Sequence, residues 1–126
     1  MRRINSLIGA ILFSLILSGC VDMFEPDIST SNVILLSPYN GMESDTSSIS
    51  FWWDTVEFAT EYQLQIVSPD LSMIEKLCLD TFLIDNQLVY NLEPGDYEWR
   101  VRARNASSET NYVTAAFTVK QSGDEE

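Results

Sequence analysis

The sequence predicts an all-β domain, seven short antiparallel strands closed into a two-layer sandwich. Three observations carry this. Apolar residues between positions 33 and 120 recur at every second position, the period of a strand with one buried face. Clusters of Asn, Asp, Gly, Pro and Ser break the alternation at roughly ten-residue intervals, as the turns of a sandwich do. No apolar stripe of helical period follows residue 20.

The first strand is the apolar run "NVILLSP", ended by the proline-bearing turn "SPYNGMESD". "SISFWWDTV" alternates next, with Ile49, Phe51 and Trp53 inward against Ser48, Ser50, Trp52 and Asp54. "EYQLQIVS" repeats the pattern, with Tyr62, Leu64 and Ile66 against Glu61, Gln63 and Gln65. "MIEKLCLDTFLI" is β-prone, but its apolar residues keep no single phase. "NQLVYNL" supplies Leu88, Tyr90 and Leu92. In "LEPGDYEWRVRARN", Tyr97, Trp99, Val101 and Ala103 form one face, and Glu98, Arg100, Arg102 and Arg104 the other. "NYVTAAFTVK" closes the domain with Ala115, Phe117 and Val119 inward.

The ends read differently. Arg2 and Arg3 precede a run of apolar residues from Leu7 to Leu17, shorter than the roughly 20 residues a membrane span needs. A charged start, a short apolar stretch and a small-residue close describe a secretory signal peptide over residues 1–19. "LSGC", Leu17 to Cys20, resembles the lipobox of bacterial lipoproteins, which implies lipid on Cys20 as the first mature residue. Residues 20–31 then form a lipidated acidic tether, 32–120 the sandwich, and 121–126 a disordered acidic tail. The chain has 7 basic and 19 acidic residues, net −12. Losing residues 1–19 removes Arg2 and Arg3 and no acid, which leaves a net charge of −14. That balance opposes nucleic-acid binding, which depends on neutralising phosphates with Lys and Arg, and no nucleic-acid partner is expected.

Within the sandwich, "LLSPYNG", Trp53, "ATEYQLQI", "LEPGDYEWRVRARN" and "AAFTVK" resemble a fibronectin type III module, an immunoglobulin-like β-sandwich, of a Bacteroides-type bacterial surface lipoprotein. The resemblance covers residues 33–120. It implies that Trp53 is the core tryptophan of the second strand, with Tyr62 its partner on the third. It also implies a tyrosine corner from Leu92, Pro94, Gly95 and Tyr97, the phenol bonding back to the preceding turn. One residue separates Gly95 from Tyr97 where many animal modules have two. The family's integrin-binding tripeptide is missing, so no adhesion role is implied.

The inventory of reactive groups is poor. The chain lacks histidine, the commonest general base and metal ligand. If Cys20 is lipidated, Cys78 is left alone and reads as a small buried apolar residue. Glu43 and Asp45 have no calcium-loop spacing and read as solvated loop acids. No catalytic residue, metal or cofactor is expected. Two features point outward. Alternation turns Trp52 away from the core, where it covers neighbouring strands or anchors a contact. The resembled topology sets Arg100, Arg102 and Arg104 beside the strand of Glu61, Gln63 and Gln65, where cross-strand pairing stabilises the sheet or the strip meets a ligand. Asn105-Ala106-Ser107 is a glycosylation sequon, taken as chance. The expected function is a non-catalytic, lipid-anchored module of the bacterial envelope, at the outer membrane or cell surface, that binds another envelope protein. The alternative is a carbohydrate-binding accessory using Trp52 and the polar sheet face.

Overall fold

The computed structural model describes residues 25–121. They form eight strands: β1 (Leu35–Ser37), β2 (Met42–Ser44), β3 (Ser48–Trp53), β4 (Glu61–Asp70), β5 (Met73–Leu83), β6 (Gln87–Asn91), β7 (Gly95–Arg104) and β8 (Val113–Val119). One sheet has three strands in the order β1-β3-β6; the other has five in the order β2-β8-β7-β4-β5. The domain is the all-β sandwich expected.

The core lies where the two alternations meet. Phe51 and Trp53 of β3 face Leu64 and Ile66 of β4 and Trp99 and Val101 of β7, all fully buried. Their rings meet edge to face: Phe51 lies 5.0 Å from Trp99, and Trp53 5.5 Å from Tyr62. Quadrupoles favour such pairs, and large buried side chains of this kind contribute about 2–3 kcal/mol each. Two of the buried polar handles are tied down, while the Trp53 indole N–H is buried without a hydrogen-bond partner. Trp99 Nε1 donates to the Pro38 carbonyl at 3.1 Å, and the Tyr62 hydroxyl accepts from the Val56 N–H at 2.9 Å.

Three expectations need correction. The strand count is eight, because β2 forms inside what reads as a turn. Gly41, at φ 88°, donates its N–H to the Ala116 carbonyl, and the Asn40 side chain accepts from the Ala116 N–H. These bonds hold the segment against β8, so Met42, Glu43 and Ser44 pair with Phe117, Thr118 and Val119. That pairing is parallel; every other strand pair is antiparallel.

The second correction concerns residues 25–31, assigned above to the tether. Ile28 is 1% exposed and belongs to the core. Its N–H donates to Ser108 Oγ, the Ala106 N–H donates to the Glu25 carboxylate, and Asn105 Nδ2 donates to the Pro26 carbonyl. The folded unit therefore includes this segment. Residues 20–24 of the tether, the signal peptide and residues 122–126 of the tail lie outside the described residues.

The third is Cys78, which is half-buried rather than buried. The register of β5 against β4 shifts twice, between the residues opposite Ile66 and Val67 and those opposite Ser68 and Pro69. Such bulges displace side chains from strict alternation, which is why this strand showed no single phase.

Candidate functional site

The arginine stripe faces outward on β7, and β4 lies beside it in the register that alternation and topology imply: Gln65 opposite Arg100, Gln63 opposite Arg102, Glu61 opposite Arg104. Arg100 Nε donates to Gln65 Oε1 at 2.7 Å. Arg102 donates twice to Gln63 Oε1, at 3.0 and 2.7 Å, and pairs with Glu109 at 3.0 Å. Arg104 pairs with Glu61 at 3.1 Å. Gln63, only 8% exposed, passes the network on, its Nε2 donating to Asp80 at 2.9 Å.

Aromatic rings complete the network. The guanidinium carbons of Arg100 and Arg102 lie 4.0 and 4.7 Å from the centroid of the Tyr112 ring, and that of Arg104 lies 5.2 Å from Phe82. Cation–π contact adds to the bonds each arginine already makes. The stripe is thus a zipper across β5, β4, β7 and the start of β8. Each of the three arginines is engaged within the sheet by at least one polar partner and one ring.

Trp52 stands elsewhere. It projects from the outer face of the three-stranded sheet, 46% exposed, opposite Gln87 of β6. Ser50 pairs with Val89 alongside it. Ser50, Trp52, Asp85, Gln87 and Val89 border an open depression of about 600 Å³. The structure brings Gln63, Gln65 and the three arginines together on one outer face and sets Trp52 on the opposite one. Cys20 lies outside the described residues.

The tyrosine corner and Asn105 are structural. The Tyr97 hydroxyl donates to the Glu93 carbonyl at 2.6 Å, so the corner closes with the shorter spacing. Gly95, at φ 157°, lets the backbone turn directly into β7 after Pro94. Asn105 is 7% exposed and donates to Pro26 and Phe58 while accepting from the Ser107 and Ser108 N–H groups. It ties three loops together, and its side-chain nitrogen is committed to carbonyls rather than open to glycosylation. Burial pushes the Cys78 thiol above its ordinary pKa, so it stays protonated near neutrality. Among the described residues, no group of three or more Cys, Asp or Glu could hold a metal ion.

Tyr112, Phe82, Asp80 and Glu109 were absent from the sequence-based candidates. One signal could have found Tyr112: with Ala115, Phe117 and Val119 inward, extending the alternation back places it on the arginine face.

No protein-family model matches the chain, and no curated protein matches it. Solved structures do. The fibronectin(III)-like modules of Clostridium thermocellum CbhA align with a TM-score of 0.54 at 11% identity, covering 72% of this chain and 99% of theirs. The fibronectin type III domain derived from human KIAA0970 protein aligns at 0.52 and 14%, covering 72% and 74%. FN3tt aligns at 0.51 and 17%, covering 71% and 90%. At such identities the likeness speaks for the fold alone. The described domain has a fibronectin type III-like β-sandwich fold.

Proposed function

We propose that this chain is a lipid-anchored bacterial envelope protein, at the outer membrane or cell surface, whose sandwich is a non-catalytic interaction module for another envelope protein. The "LSGC" sequence supports an anchor at Cys20. The absence of histidine from the sequence supports a role without acid–base catalysis. One observation carries the interaction reading. The polar outer face is internally paired through Arg100, Arg102 and Arg104, while the opposite face carries an exposed tryptophan in an open depression. Tryptophan is among the side chains that most often anchor protein contacts.

A carbohydrate-binding accessory role is the second reading. It draws on the same ring, since Trp52 has the Asp85 carboxylate and the Gln87 amide beside it for sugar hydroxyls. The experiment is crosslinking in intact cells followed by membrane fractionation. The wild type is expected in the membrane fraction, joined to discrete protein partners. Cys20→Ser is expected in the soluble fraction. A wild-type chain that is soluble from the outset, or that traps no protein, refutes the reading.

A further inference from the structure

The two outer faces divide the charge between them. Every described Lys and Arg belongs to the five-stranded sheet or its margin: Lys76 in β5, Arg100, Arg102 and Arg104 in β7, and Lys120 directly after β8. The strands of the other sheet, "LLS", "SISFWW" and "QLVYN", contain no charged residue. The segments that enter and leave them carry Glu25, Asp27, Asp45, Asp54, Glu57, Asp85 and Glu93, all acids. The three-stranded face is therefore uncharged in the middle, with acids in the segments that flank it and Lys76 of β5 near its far edge, beside Tyr90 and Asn91.

The depression beside Trp52 repeats this pattern on a small scale. Asp85 is the only charged residue on its wall, and Val89 next to Trp52 is 63% exposed. A phosphate or sulfate would meet a carboxylate and no cation there. An arginine or lysine side chain would meet a carboxylate for its charge, an indole face for its cation and an isopropyl group for its methylenes.

The protein already uses that chemistry on its other face. Arg100 and Arg102 lie over Tyr112 with Gln65, Gln63 and Glu109 accepting their N–H groups, and Arg104 lies over Phe82 while paired to Glu61. Each is a ring plus an oxygen acceptor plus a guanidinium. Trp52 and Asp85 supply the ring and the acceptor, and no described guanidinium lies over Trp52.

Resting on the interaction-module reading, we propose that the outer face of the three-stranded sheet, centred on Trp52 and Asp85, docks a cationic protein segment and seats one of its arginine or lysine side chains over the Trp52 ring. The flanking acids draw such a segment in and repel anionic ones.

The test titrates the full chain, held in neutral detergent, with a capped peptide of alternating Arg and Val and with its Glu-for-Arg counterpart. Trp52→Ala and Asp85→Asn are expected to weaken binding of the arginine peptide about fivefold or more, as the loss of a cation–π contact or its charged acceptor should. Glu75→Gln, which removes a carboxylate from β5 in the other sheet, is expected to change it less than about twofold. Equal losses in Glu75→Gln and Asp85→Asn would mean diffuse attraction to an acidic protein and would overturn the proposal. So would full binding by Trp52→Ala, no binding by the wild type, or Trp52-dependent binding of a neutral oligosaccharide in place of the peptide. Protein crosslinks that persist in cells carrying Trp52→Ala would sink this docking face while leaving the module reading intact.

Discussion

The Tyr97 hydroxyl reaches back four residues to the Glu93 carbonyl, at 2.6 Å, and so holds the turn from β6 into β7 to the sheet it enters. Tyr97→Phe keeps the ring stacked on Phe117 and leaves that carbonyl without its partner. The variant is expected to fold normally and lose about 1–2 kcal/mol, measured by urea denaturation. An unchanged midpoint would remove the corner from the list of stabilising contacts.

Neighbouring tryptophans should behave as opposites. Trp53 is wholly enclosed, whereas nearly half of Trp52 is exposed. Trp53→Ala is expected to cost roughly 3–5 kcal/mol through the cavity it leaves, and Trp52→Ala less than about 1 kcal/mol. Denaturation curves of the two variants beside the wild type check this directly.

Ile28 is a core residue in a segment that looks like linker. Ile28→Ala is expected to cost about 2–4 kcal/mol in the same measurement. A loss no larger than that of an exposed position would return residues 25–31 to the tether.

Arg102 and Gln63 share two hydrogen bonds, and the Gln63 amide carries the network to Asp80. A double-mutant cycle with Arg102→Ala and Gln63→Ala is expected to give a coupling of about 1 kcal/mol. Additive losses would mean that the zipper is a set of independent contacts.

The turn between β4 and β5 should respond to acid. Asp70 accepts from the Ser72 hydroxyl and from the Met73 and Ser72 N–H groups, and the Ser72 hydroxyl, ahead of the Met73 N–H, holds its carboxyl below the usual aspartate range. A carboxyl depressed on folding contributes stability above its unfolded pKa of about 4, and the contribution is lost as pH falls through the lower folded value. The stability gap between wild type and Asp70→Asn is expected to be open at pH 6 and to shrink as pH falls toward 3. A gap that stays constant or widens in acid contradicts this assignment.

Much of the fold was legible because a buried face imposes its period on each strand separately. Ile49, Phe51 and Trp53, and again Tyr97, Trp99, Val101 and Ala103, declare their orientation without reference to any partner. Features that depend on distant partners were not. β2 exists because Ala116 accepts and donates bonds 75 or more residues away, and nothing within "MES" announces a strand. Ile28 is one apolar residue among polar neighbours, too short a signal to mark burial. β5 hides its phase behind two bulges. The arginines were legible as an outward row, but whether they were engaged depended on Tyr112, Phe82 and Glu109, which come from other elements.

If Cys20 carries the proposed lipid, the bonds that lash Glu25, Pro26 and Ile28 to the loop between β7 and β8 would also shorten the leash. Four residues separate Cys20 from Glu25, a reach of at most about 18 Å when fully stretched. A lipid on Cys20 would then keep the pole formed by Phe58 and Asn105 close to the bilayer, and the hairpin tip at Asp70, ten residues along β4, would point away from it. Trp52 would look out sideways, toward neighbours moving in the plane of the same membrane rather than toward molecules arriving from above.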